Sequence, residues 1–419
     1  MLTKLKLLWL LLLAPFFGTT SFAQCAKFEP PDGNALLIIG QDLGSVGGSS
    51  YYNNGYVENV GGPVPGGITT YTDFPYLQGL TSVANYGAGD ICAQSVTGNT
   101  TYQNSVLVIG LYLVNELNAI KNGQRDALIQ QLGSWIKNSN RPVFLRIGYE
   151  YDGPWNSYNP ADYKIAFKRI VDKFRASSVD NCAFVWQSCG YGSDTSTLKQ
   201  WYPGDDYVDW MAYSHFMYTN NGTPEMALAR AHHKPLMIAE ATPQGDIINS
   251  NYSWNRWFGP LFQHIQNNQD VIKALAYINA NWDGQSMWAG QGWGDSRIQN
   301  SSTIKAKWLA EINSSFWLKS SSTLFASLNC STTGTEKIKP EISLSVYPNP
   351  SKGEITINHL LTIKEIIVTN LNGETIFREF YSNGNSIKID LKNQIAAGVY
   401  ILNIRDEISS TQQKIVICE

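Results

Sequence analysis

The sequence predicts an α/β fold, a (β/α)8 barrel, followed by a small all-β sandwich. Three observations carry this: a series of short apolar runs in the first three quarters of the chain, helical patterns between several of them, and a change of composition after residue 318.

The candidate strands lie at 36–42, 68–74, 105–113, 143–150, 183–188, 208–216, 236–242 and 272–281. Most are continuous apolar runs rather than alternations, the pattern of parallel strands covered on both faces. Helical spacing falls between them. Asn159 caps the clearest helix, Pro160 occupies its first turn, and Tyr163, Ala166, Phe167, Ile170, Val171 and Phe174 form one apolar stripe. Leu128, Leu132, Trp135 and Ile136 make a weaker stripe, as do Trp254, Phe258, Leu261, Phe262 and Ile265. Ile304, Trp308 and Ile312 close the series. Repeated strand and helix units over this length fit a closed parallel barrel. The segment 44–101 is rich in Gly, Asn, Tyr and Ser and predicts long loops around the second strand.

Residues 1–23 read as a signal peptide: Lys4 and Lys6, an apolar run over 7–17, and Ser21-Phe22-Ala23 as the cleavage site before Gln24. The expected organisation is then a barrel over 24–318, a Ser, Thr and Lys-rich linker over 319–342, and a tail over 343–419. The tail predicts strands at 343–347, 354–357, 364–370, 375–380, 387–391 and 399–405, separated by turns such as 348–353 and Asn372-Gly373. No later run reaches the length of a transmembrane segment. The formal charge of −3 has no block of one sign, which excludes a nucleic-acid footprint. The six cysteines suit an exported protein, and their spacing leaves the disulfide pairing open. No C-x-x-C pair occurs and the five histidines are scattered, so no metal site and no cofactor are expected.

Two of the apolar runs end in an acid. The fourth ends Arg146-Ile-Gly-Tyr-Glu150, and the seventh ends Ile238-Ala-Glu240. Alternation along a strand places Arg146, Gly148 and Glu150 on one face. Barrel active sites lie at the carboxyl ends of the strands, so both glutamates face one mouth. Hydrolysis of a glycosidic bond needs such a pair, one to protonate the leaving oxygen and one to attack or to activate water.

The neighbours suit that chemistry. Tyr149, Tyr151 and Trp155 offer a wall that raises the acid's pKa, and Arg146 favours ionised Glu240. Tyr213 and His215, near the end of the sixth run, are expected to donate to Glu240, with core packing the alternative for Tyr213. Asp42 and Asp73 end the first two runs and either bind sugar hydroxyls or cap loops. Trp282, Trp288 and Trp293 share a glycine-rich loop and are expected to stack on sugar faces. A non-catalytic carbohydrate-binding or surface adhesin protein is the rival reading; it keeps the aromatic residues but has no use for two close carboxylates.

At these residues the region from about Leu36 to Trp317 resembles clan A glycoside hydrolases, most closely family 26, which includes β-mannanases, β-1,3-xylanases and lichenases. The resemblance implies a retaining mechanism on β-linked polysaccharide such as β-mannan or β-1,3-xylan. It implies Glu150 as acid/base, Glu240 as nucleophile, Trp155 as a substrate-stacking residue and Trp282 as the floor under the cleaved sugar. Many family mannanases carry His before the acid/base residue, where this chain has Tyr149. The tail resembles the type A sorting domain of the type IX secretion system in Val346-Tyr-Pro-Asn-Pro350, Gly353, Gly373, Gly398-Val-Tyr400 and Lys414-Ile-Val416. Its ending, Ile417-Cys418-Glu419, departs from the usual basic finish. This resemblance implies handling by the type IX machinery, then release or attachment at the outer surface.

Overall fold

Eight parallel strands form the closed barrel of the first unit: β1 (Ala35–Gly40), β2 (Gly67–Asp73), β3 (Val106–Tyr112), β4 (Val143–Ile147), β5 (Cys182–Ser188), β6 (Trp210–His215), β7 (Leu236–Ala241) and β8 (Ile272–Ile278). Each pairs with the next, and β8 returns to β1, so the sheet closes into a TIM barrel. The computed structural model describes residues 25–192, 194–217, 222–246, 248, 251–328, 345–358, 363–370, 374–382, 384, 386–392, 394–405 and 410–418. The expected signal peptide lies outside them.

The strands form where both faces are apolar because both are covered. Leu36, Ile38, Val106, Val108, Phe144, Val185, Trp210, Ala212, Met237 and Ala274 pack together inside the barrel. Their alternates, among them Leu37, Ile39, Leu107, Ile109, Leu145 and Met211, pack outward with the helices. Helix Pro160–Ala176 buries the expected stripe, and the Asn159 side chain accepts from the Asp162 N–H at its start. The other stripes form helices Asp126–Asn138, Gly259–Asn267 and Ser302–Ile312, with a π-helical turn at Trp254–Phe258. The segment after β1 is less bare than its composition suggests. It holds short helices at Tyr56–Val60 and Ala93–Thr97 and a small strand pair, Ala84–Asn85 with Asp90–Ile91.

The start of the expected linker belongs to the barrel unit. Trp317–Leu318 pairs beside β1, and Leu324 and Leu328 are buried with Phe28 against the barrel's inner layer. Apolar side chains within a Ser-rich segment account for this, and composition alone hid them. Cys25 is disulfide-bonded, whereas Cys92, Cys182, Cys189 and Cys418 are free thiols.

The chain divides into Met1–Thr332 and Thr333–Glu419. The second unit carries two antiparallel sheets. One is built from β9 (Ser345–Tyr347), β10 (Glu354–Asn358) and β13 (Ser386–Asp390). The other has β11 (Glu365–Thr369), β12 (Thr375–Phe380), β14 (Gly398–Arg405) and β15 (Ser410–Ile417). Residues from both, including Ile355, Ile357, Ile366, Val368, Leu402 and Ile415, share one core. The strand β15 was not among the expected ones. It begins Ser-Thr-Gln-Gln-Lys and shows its apolar character only in the last residues, yet it pairs along the whole of β14. Among the described residues, no helix is long and apolar enough to cross a membrane.

Candidate active site

The mouth is built by the inner-facing residues at the carboxyl ends of β2 to β7. Arg146 on β4 is fully buried. Its Nη1 donates to Glu240 Oε1 at 2.6 Å and to Gln187 Oε1 of β5 at 2.9 Å. The Tyr71 hydroxyl, from β2, lies 3.0 Å from the same Glu240 oxygen and 3.2 Å from Gln41 Oε1. The rings of Tyr71 and Tyr149 flank the guanidinium at 5.0 and 5.2 Å. Gly110 on β3 makes room for this group. A Cβ there would stand 2.4 Å from Tyr71 Cδ1 and 2.9 Å from Arg146 Nη2.

Glu150 reaches the mouth by a different backbone path from the expected one. β4 stops at Ile147, and Gly148 and Glu150 adopt φ of 55° and 53°. A left-handed non-glycine residue is uncommon and is held only where its surroundings over-determine it. Here Asn156 Nδ2 donates to the carbonyls of Tyr149 (3.1 Å) and Glu150 (2.8 Å). The Tyr151 N–H donates to the Gln187 carbonyl at 3.2 Å, and Asp152 Oδ1 accepts from the Cys189 N–H at 2.7 Å. The turn is therefore pinned to the end of β5.

The Glu150 carboxyl accepts from Ser214 Oγ at Oε1 (2.6 Å) and from Trp155 Nε1 at Oε2 (3.1 Å). Ser214 in turn accepts from Gln187 Nε2 at 3.0 Å. A continuous chain thus joins the two acids: Glu150, Ser214, Gln187, Arg146, Glu240. A break in register between Tyr213 and Ser214 sets Ser214 directly beside Glu240 on β7. Burial pushes the Glu150 carboxyl up to about 8; the Glu240 charge adds to this, while the Ser214 hydrogen bond and Arg146 oppose it. Burial thus favours the protonated form of Glu150.

The opposing contribution of Ser214 is open to test. A hydrogen bond to a charged group contributes about 1.5–3 kcal/mol, so losing it moves a pKa by about one unit or more. In Ser214→Ala, the alkaline limb of the kcat profile should move to higher pH by about one unit. An unchanged limb would show that the hydroxyl does not act on Glu150.

The structure redistributes several expected residues. Tyr213 and His215 do not meet Glu240. Alternation from Trp210 and Ala212 sends Ser214 inward and its two neighbours outward. The Tyr213 hydroxyl lies 3.3 Å from His264 Nε2, and the His215 ring packs against Trp257. Tyr151 likewise turns away and stacks on Trp186 at 4.6 Å, so it does not wall Glu150.

Asp42 N-caps helix Leu43–Val46 through the Ser45 N–H (3.0 Å) and also accepts from Ser45 Oγ and Gln285 Nε2. Asp73 accepts from the Gln78 N–H at 2.9 Å and from the Tyr86 hydroxyl at 2.7 Å. Both aspartates thus organise loops. Trp282 is only 2 % exposed, with Nε1 donating to Ser296 Oγ (3.0 Å) and Thr242 Oγ1 (3.2 Å). Its ring packs against Trp288 and Trp293, so the loop's tryptophans cover one another rather than all facing solvent. Trp155, by contrast, is 52 % exposed while its nitrogen holds Glu150. Tyr71, Gln41, Gln187, Ser214 and Gly110 escaped the sequence reading. The last three and Tyr71 follow from strand parity only once the residues filling the barrel are known.

A carboxyl kept protonated beside a carboxylate paired to arginine, at the carboxyl end of a parallel barrel, defines a glycosidase more readily than a sugar-binding protein. Comparison with known proteins narrows the class. Residues 96–280 match the glycosyl hydrolase family 26 model, and residues 345–418 match the secretion system C-terminal sorting domain. A protein named beta-1,3-xylanase TXYA, from Vibrio sp, is 36% identical over 326 residues, 71% of this chain and 69% of that protein. A beta-1,3-xylanase from Alcaligenes sp is 34% identical over 342 residues, 74% of this chain and 71% of that one. The chain belongs to glycosyl hydrolase family 26.

The fold agrees. A GH26 beta-mannanase from Bacteroides ovatus superposes with a TM-score of 0.53 at 12% identity, over 70% of this chain and 93% of that one. The chain is an endo-acting glycoside hydrolase with a polysaccharide substrate. Its tail sorts it through the type IX secretion system to the outer surface or beyond.

Proposed function

We propose that the enzyme cleaves β-1,3-xylan with retention of anomeric configuration, using Glu240 as nucleophile and Glu150 as acid/base. The buried chain from Glu150 to Glu240 carries the reading, because it joins in a single mouth one acid raised by burial and another held against a cation. Glu240 Oε1 is taken by Arg146 and Tyr71, which leaves Oε2 to attack the anomeric carbon. As that bond forms, the Glu150 proton passes to the glycosidic oxygen and the leaving chain departs. Glu150, now a carboxylate, takes a proton from water as the water displaces Glu240, which restores both residues.

The choice of xylan rests on the two relatives named for that activity, each matched over more than two thirds of its length. Tyr149, standing over Arg146 where many family mannanases carry His, points the same way. Residues 1–23 would serve as the export signal for the chain. Reducing-sugar release should be highest on β-1,3-xylan, compared with β-mannan and mixed-linkage glucan, and should yield oligosaccharides before free xylose. Release from mannan alone would overturn the substrate assignment, and release from none would overturn the catalytic one.

A further inference from the structure

A row of tyrosines leads away from Glu240 toward the rim between β2 and β3. The two strands pair so that Tyr71 stands beside Gly110 and Asp73 beside Tyr112. All four residues lie on the inward-facing parity of their strands. Tyr71, whose hydroxyl meets Glu240, touches Tyr149 edge-on with ring centroids 5.4 Å apart. Tyr149 is in turn 6.4 Å from Tyr112 at a 46° tilt. The other residues of β3 are buried, but Tyr112 is 39% exposed.

Tyr86 is 49% exposed, yet its hydroxyl is fixed by Gln78 Oε1 (2.8 Å) and by Oδ2 of Asp73 (2.7 Å), the strand neighbour of Tyr112. Asp73 is itself held by the Gln78 N–H. Core packing does not require a solvent-facing ring at the end of an inward strand position, with a second exposed ring tethered to its strand neighbour. A tethered ring has already lost the side-chain freedom that binding would otherwise cost. The apolar C–H face of a pyranose stacks on such rings, as aromatic side chains in clefts commonly provide.

We propose that Tyr112 and Tyr86 form an outlying sugar-binding subsite. It takes a neutral pyranose of the same β-linked chain, beyond the sugar held at Glu240, and Asp73 acts as the strut that sets the platform. Continuity with the catalytic mouth through Tyr71 and Tyr149 selects the polysaccharide itself as occupant. The acidic side chain of Asp73, bonded to the Tyr86 hydroxyl and paired in register with Tyr112, disfavours an acidic polymer. The proposal rests on the glycosidase reading for the direction of the chain, but its test does not need turnover.

In a Glu240→Ala parent, calorimetry with a length series of β-1,3-linked xylo-oligosaccharides, and in parallel β-1,4-linked manno-oligosaccharides, should show affinity rising with length. Adding Tyr112→Ala should remove the increment gained on lengthening, roughly three- to tenfold, while leaving the affinity for the shortest ligand unchanged. Tyr86→Phe, which frees the ring without removing it, should lose part of the same increment. Equal loss at every length, or no loss at any, would overturn the subsite, as would a parent that binds neither series. A wild type that hydrolyses neither polymer while the increment persists would overturn the catalytic reading and leave the subsite standing.

Discussion

Glu240→Ala should lose hydrolysis of β-linked polysaccharide by roughly 10⁴–10⁶-fold, because among the described residues Glu240 alone pairs its carboxyl with Arg146 and the covalent step has no substitute. Sodium azide should restore turnover of a substrate with a good leaving group. The small anion enters the space left by the side chain, and the product should be the glycosyl azide of inverted configuration. The variant should also be less stable. Arg146 is fully buried, and removing its partner leaves an uncompensated charge, which costs about 3–5 kcal/mol. Glu240→Gln keeps the shape and an acceptor for Arg146, so it should be as inactive with a smaller fall in Tm. Activity within tenfold of wild type in either variant would exclude Glu240 as nucleophile.

Glu150→Ala should produce a different loss. Natural polysaccharide needs protonation of its leaving oxygen, so kcat should fall by roughly 10²–10⁴-fold. An aryl glycoside whose leaving group needs no proton should still form the glycosyl intermediate, and azide should release it as a product of retained configuration. The pH profile separates this role from a structural one. The wild-type carboxyl is raised to about 8, so activity should decline as pH rises through that value and the acid is lost. In Glu150→Ala the decline should vanish. A limb that persists there would belong to another group.

Most of the eight strands were legible because parallel strands buried on both faces are largely apolar. The same property hid the fine structure of the site. When both faces are apolar, alternation does not reveal which residues point inward, so Tyr213 and His215 were expected at Glu240 and Ser214 was passed over. Their neighbour at the mouth could be chosen only once Trp210 and Ala212 were known to fill the barrel. Glu150 and Glu240 were found by counting strands, which needs no parity. The path of Glu150 was misjudged all the same, because Gly148 turns the chain before alternation can carry it there. Trp282 misled for another reason: three tryptophans among glycines can bury one another instead of facing solvent.

The most direct measurement is covalent trapping. The enzyme would be incubated with a 2-deoxy-2-fluoro xyloside oligomer bearing an activated leaving group, digested with protease, and read by mass spectrometry. A single adduct on the peptide containing Glu240, absent from Glu240→Ala, is the outcome required here. An adduct on any other residue, or hydrolysis that yields the inverted anomer with no adduct at all, would contradict the two-acid retaining site.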